Sequence, residues 1–145
     1  MVVTINSYDS FVEAFGDNTM DLDGDTFNAE LYNSSHVFNA AHTQRSDVSA
    51  NALATNFGYT NPGQALTTPT WGHTGGTTTF DAVDVTWTAS GGSIGPADDC
   101  VLYDDTTTVP VDGLMFSIDF GASETAGDGT DFKITWNASG IFTVS

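Results

Sequence analysis

Val83-Asp84-Val85-Thr86-Trp87-Thr88-Ala89 decides the fold class. Its odd-numbered residues are apolar and its even-numbered ones polar. A period of two places Val83, Val85, Trp87 and Ala89 on one face of a strand and leaves the other face wet. Toward the C-terminus the same period returns in Leu114, Phe116, Ile118 and Phe120, ended by Gly121, and in Phe132, Ile134 and Trp136. Asn137-Ala138-Ser139-Gly140 then leads to a last short strand over 141–144. Cys100 to Tyr103 is a continuous apolar run, the pattern of a central strand, set between a break at Gly91 to Pro96 and a turn at Asp104-Asp105-Thr106. Toward the N-terminus, Phe27, Ala29 and Leu31 alternate within Thr26–Tyr32, and residues 64–68 read as a short strand. Short strands joined by Gly- and Asp-rich turns describe a mainly β chain, an antiparallel sandwich or barrel-like fold.

One segment reads as a helix. Ser10-x-x-Glu13 has the spacing of a capping box, Phe11 and Phe15 share a face, and Gly16 is placed as a stop. The expectation is a short N-terminal helix over residues 8–15. The stretch 33–63 is irregular, with a brief helix capped by Ser46 that runs through Val48, Ala52 and Leu53 toward Gly58. Asn61-Pro62-Gly63 is a turn by its chemistry. Residues 67–79, rich in Thr and Gly, read as a loop or flap. At 145 residues, with 39% apolar and 12% aromatic residues, the chain suits a single β-rich domain over 1–145 with an irregular insertion around 33–63.

The charge balance excludes more function than any motif supplies. Arg45 and Lys133 are the only Lys or Arg, against nineteen Asp and Glu, a formal net charge of −17. Nucleic-acid binding needs basic residues to neutralise phosphates, and an anionic membrane surface needs a polybasic patch. Neither is an expected partner. Self-repulsion at this charge density is relieved by salt, so a saline, halophilic setting is expected. Met1-Val2-Val3-Thr4 lacks the basic and apolar regions of a secretory leader, and no run is long enough to span a membrane, which points to synthesis in a cytoplasm.

Sites of chemistry are scarce. Gly91-x-Ser93-x-Gly95 has the letters of a nucleophile elbow but leads into a strand, and the last histidine, His73, lies upstream of the serine. Asp21-x-Asp23-Gly24-Asp25 hints at calcium, yet counting from Asp21 the sixth position is Thr26 and the twelfth Tyr32, where a calcium loop wants Gly and Glu. His36, His42 and His73 lack metal-ligand spacing and read as surface residues. No catalytic residue, cofactor or metal is expected. Cys100, alone, reads as a buried small hydrophobe. Trp87, Phe116, Phe120, Phe132 and Trp136 fall on the apolar phase of strands and read as core. Trp71 stands in the polar loop, either folded back over the core or serving as an interface anchor.

Several stretches together resemble a family of small structural proteins of tailed viruses of bacteria and archaea. They are Gly58-Tyr59-Thr60, Gly63-Gln64-Ala65-Leu66, Val85 to Ala89, Val101-Leu102-Tyr103-Asp104-Asp105, Ile118-Asp119-Phe120-Gly121 and Trp136 to Phe142. Ser10-Phe11 and Asp25-Thr26-Phe27 fit as well, so the likeness spans most of the chain. Ala97-Asp98-Asp99 departs from it, where a basic or aromatic residue would precede the Tyr strand. The resemblance implies a virion component, either a capsid decoration (cement) protein or a tail part. The expectation taken from it is a non-enzymatic decoration protein on the outer capsid surface that binds across major capsid protein subunits, with copies of itself as a further partner. A tail or receptor-binding module that recognises glycan or host is the alternative. Trp71, His73 and Phe38 are the candidate contact residues.

Overall fold

The computed structural model describes residues 3–145. Met1 and Val2, which open the stretch read for a leader, lie outside the described residues. The elements run β1 (Thr4–Ser7), α1 (Asp9–Gly16), β2 (Phe27–Tyr32), two 3₁₀ turns (Arg45–Asp47 and Ser49–Asn51), β3 (Gln64–Ala65), β4 (Thr70–Thr74), β5 (Thr77–Asp81), β6 (Val85–Thr88), β7 (Ile94–Thr108), β8 (Val111–Ala126), β9 (Asp131–Ile134) and β10 (Phe142–Val144). The chain is mainly β, with antiparallel sheets and one short N-terminal helix, as the period-two runs predict. Among the described residues no helix is long and apolar enough to cross a membrane.

The main sheet has five strands in the order β1-β8-β7-β2-β3. Cys100 to Tyr103 lies in central β7, fully buried, as its continuous apolar run predicts. One face of this sheet carries Phe27, Ala29, Leu31, Cys100, Leu102, Phe116 and Ile118. Against it pack the β6–β9 pair through Trp87, Phe132 and Ile134, the β10-β5-β4 sheet through Phe80, and α1 through Phe11. Phe11 lies 4.8 Å from Phe116, centroid to centroid.

The opposite face is also covered. Tyr32, Val101, Tyr103 and Leu114 bury there with Tyr8 and Val48, and Phe38 and Ala52 lean on them. The first part of the irregular stretch, residues 33–52, is therefore the lid of the second face, while Leu53 and Tyr59 after it pack on the main core. This explains why all six residues of β2 are buried although only three are apolar in phase.

Several local expectations need correction. α1 has Tyr8 rather than Ser10 as its N-cap, with no side-chain cap bond, and it ends on Gly16. Burial of Tyr8, whose N–H donates to the Met115 carbonyl at 3.1 Å, fixes the entry before Ser10 can cap. In place of the brief helix after Ser46 stand the two 3₁₀ turns. Residues 67–79 are not a loop, because Thr70–Thr74 and Thr77–Asp81 form a hairpin with Gly75 and Gly76 at its tip, both at positive φ. Two such residues match the twist of flanking strands.

β7 does not turn at Asp104 but continues to Thr108, because the Asp104 carboxylate accepts the Thr106 and Thr107 N–H groups (2.7 and 3.3 Å) and kinks the strand. It also begins at Ile94, inside the expected break. In β8 an extra residue, Met115, sits between the pairs Tyr103–Leu114 and Leu102–Phe116. Such a bulge reverses the side-chain phase, so Leu114 faces the lid while Phe116 and Ile118 face the main core. Trp136 falls beyond β9 and is half-buried, its indole N–H donating to the Val83 carbonyl at 3.1 Å.

Candidate functional site

The chain's two cations are both used internally. Arg45, at the start of the first 3₁₀ turn, reaches through the lid to Glu30 on β2, which is fully buried. Its Nη2 donates to Glu30 Oε1 at 2.7 Å and its Nε to Oε2 at 2.8 Å. Tyr32 donates its hydroxyl to Oε2 (2.8 Å) and Asn61 its Nδ2 to Oε1 (3.0 Å), so both carboxylate oxygens are satisfied. The guanidinium also sits over the Tyr103 ring, 5.7 Å from its centroid. Glu30 holds Arg45 firmly protonated, its pKa pushed further up. The other cation, Lys133, pairs with Asp84 at 2.9 Å on the surface. Among the described residues, the carboxylates outside these two pairs form no ion pair with Lys or Arg.

The predicted contact residues occupy different places. Trp71 lies on β4, half-buried, edge-on to Phe15 at 5.2 Å and stacked on Phe142 at 6.1 Å. It folds back over the core. His73, two residues on, is exposed, with Nδ1 3.3 Å from the Thr78 hydroxyl. Phe38 belongs to the lid and packs against Tyr8, 5.1 Å between centroids. Trp71 and His73 thus share a hairpin, whereas Phe38 lies on the lid of the opposite sheet face.

His36 is not the surface residue its setting predicts. It is buried, its Nε2 3.3 Å from the Ser117 hydroxyl and its ring 4.8 Å from Tyr32. Burial, with His42 nearby, lowers its pKa and keeps the ring neutral. A Ser–His contact has the letters of nucleophile and base, but Ser117 is fully enclosed in the sheet. Among the described residues no group of three or more His, Cys, Asp or Glu side chains converges to hold a metal ion.

Two acid contacts line β7. Asp99 stands directly opposite Asp119 on β8, and burial, together with Asp119 and Asp98, pushes its carboxyl up to about 6. Asp104 is fully buried; its Oδ2 takes no hydrogen bond from a donor group, and the Asp25 carboxyl lies beside it. Burial, reinforced by Asp25, pushes Asp104 up to about 7. A proton on Asp104 relieves the cost of burying its charge beside another carboxyl.

A groove of about 680 Å³ opens on one flank of the fold. It runs between β9 and the flank of the main sheet at β1 and β8, with an apolar floor that includes Ile118 and Phe120. No single residue pattern marks it in the sequence, because its walls come from both ends of the chain. Compared with known proteins, the chain matches no family model, no curated protein and no solved structure.

Proposed function

We propose that this chain is a structural protein of a tailed virus, a decoration protein that binds the outside of the head shell across neighbouring major capsid subunits. Its work is non-catalytic: a rigid sandwich adds buried surface at subunit junctions, and modest contacts suffice when many copies act on one shell. The sequence resemblance over most of the chain supports this reading. The observation that carries it is the internal pairing of both cations, Arg45 with Glu30 and Lys133 with Asp84. The exterior is left overwhelmingly anionic, which suits a position away from packaged nucleic acid and asks for positive or apolar ground on the partner.

Copy number tests it. Quantitative mass spectrometry of purified particles is expected to find the chain in hundreds of copies per virion. A few to a few dozen copies would instead favour the tail or receptor-binding reading, and none at all would remove it from the virion.

A further inference from the structure

The groove beside β9 has the shape of a missing strand. β9 belongs to a two-stranded sheet and, among the described residues, pairs only with β6, so its other edge has no strand partner among them. It lines the groove with every one of its residues, Asp131 to Ile134, and with Thr135 after them. Consecutive residues line a groove that follows a strand's edge, because alternate side chains of a strand point to opposite faces. The other wall is different. Val3 and Ile5, two apart, line it, and Ile5 pairs in register with Ile118. That wall is a sheet face, and Val3 and Ile5 are each 48% exposed on it. A free edge facing an uncovered apolar face is the arrangement that accepts an added strand. Natural edges are usually blunted by Pro, Lys or a bulge. Lys133 sits on β9, but Asp84 holds its ammonium.

The charge of the groove selects the occupant. Glu124 and Asp131 line it and, among the described residues, form no ion pair, while Lys133, also in the lining, is paired with Asp84. A second copy cannot supply matching charge, since its only two cations, Arg45 and Lys133, lie 88 positions apart and both are already paired.

We propose that the groove binds an extended segment of another protein, about five residues or roughly 17 Å long, in which apolar residues alternate with Lys or Arg. Its backbone hydrogen-bonds to the free edge of β9. Its apolar side chains lie on Ile5, Ile118 and Phe120, and its basic ones face Glu124 and Asp131. The proposal rests on the reading that this chain works by binding another protein, and it holds whether that protein is a capsid subunit or not.

The probe is a labelled synthetic peptide of Val and Ile alternating with Lys, beside the same peptide with Glu in place of Lys. Anisotropy measures binding to the purified full chain, and hydrogen exchange follows the amides of 131–135. The Lys peptide is expected to bind and to protect those amides, more weakly in molar salt, and the Glu peptide not to bind. Ile5→Lys, at an exposed position, is expected to weaken binding at least tenfold without shifting the melting temperature, and Glu124→Lys to do so by charge alone. Absence of binding by the Lys peptide, or equal binding by wild type and both variants, would overturn the proposal. So would self-association of the chain that Ile5→Lys abolishes, since a second copy would then fill the groove. Copy number in the virion is measured independently, so failure here leaves the decoration reading standing and the reverse also holds.

Discussion

Arg45 and Glu30 form a bidentate ion pair, at 2.7 and 2.8 Å, between the irregular lid and the central part of the main sheet. They lie fifteen positions apart in the chain, yet this contact fastens the lid to the face that β2 shares with β7. Glu30 is fully buried, so its charge is tolerable only while the guanidinium and its other two donors remain in place.

Removing Arg45 alone should therefore be severe. Arg45→Ala is expected to lose about 3–5 kcal/mol in chemical denaturation, the range for stranding one partner of a buried pair. Arg45→Lys should recover only part, because an ammonium cannot make the two parallel bonds. Replacing both partners together, Glu30→Leu with Arg45→Met, should cost far less than Arg45→Ala. A single variant within 1 kcal/mol of wild type would show that the pair does not hold the lid.

The main core makes a second demand. Trp87 lies 5.6 Å from Tyr59 and 6.2 Å from Phe132 by ring centroids. Trp87→Ala should cost about 3–5 kcal/mol, as large core truncations do. A loss below 1 kcal/mol would put the β6 side-chain phase in error.

The acid contacts on β7 set the pH response. Asp99 and Asp104 have folded pKa values raised to about 6 and about 7, above the ordinary carboxyl value near 3.9. The folded state holds these protons more tightly than the unfolded one, so their stabilisation is complete below about pH 4 and is lost as pH rises through 6 to 7. The melting temperature should rise by a few degrees from pH 8 to pH 5. Asp104→Asn keeps an oxygen for the Thr106 and Thr107 amides and offers Asp25 a donor. It should raise the melting temperature at pH 8 and flatten the profile. A profile that is unchanged in this variant would assign the pH response to other groups.

Salt should act in the same direction. With both cations paired internally, the remaining carboxylates repel one another, and the Debye length falls from about 10 Å at 0.1 M to about 3 Å at 1 M. The melting midpoint is expected to rise between dilute buffer and molar salt. A constant midpoint would separate the acidic composition from any saline setting.

The strands were legible wherever local alternation survived, as in Phe27-Ala29-Leu31, Val85-Trp87 and Phe132-Ile134. The β4–β5 hairpin was not, because its Thr- and Gly-rich arms carry almost no apolar phase; Gly75-Gly76 between two Thr runs was the signal present. The continuation of β7 past Asp104 was hidden because Asp-Asp-Thr reads as a turn, whereas the carboxylate captures two amides and only kinks the strand. The reversal of Leu114 depends on the extra residue Met115, which no periodicity reveals. Glu30 and His36 looked wet for one reason: polar phase means solvent only if the second face is open, and the lid that closes it comes from sequence with no pattern of its own. A lone Arg in so acidic a chain was the one hint that a buried acid awaited it. The groove was illegible because residues near positions 3–5 and 131–141 meet only in the fold.

If this chain decorates a viral head, as proposed, image reconstruction of purified particles will reveal it. Density for the sandwich is expected at repeated positions on the outer shell, across junctions between major capsid subunits. Density confined to the tail, or on the inner face of the shell, would rule the decoration reading out.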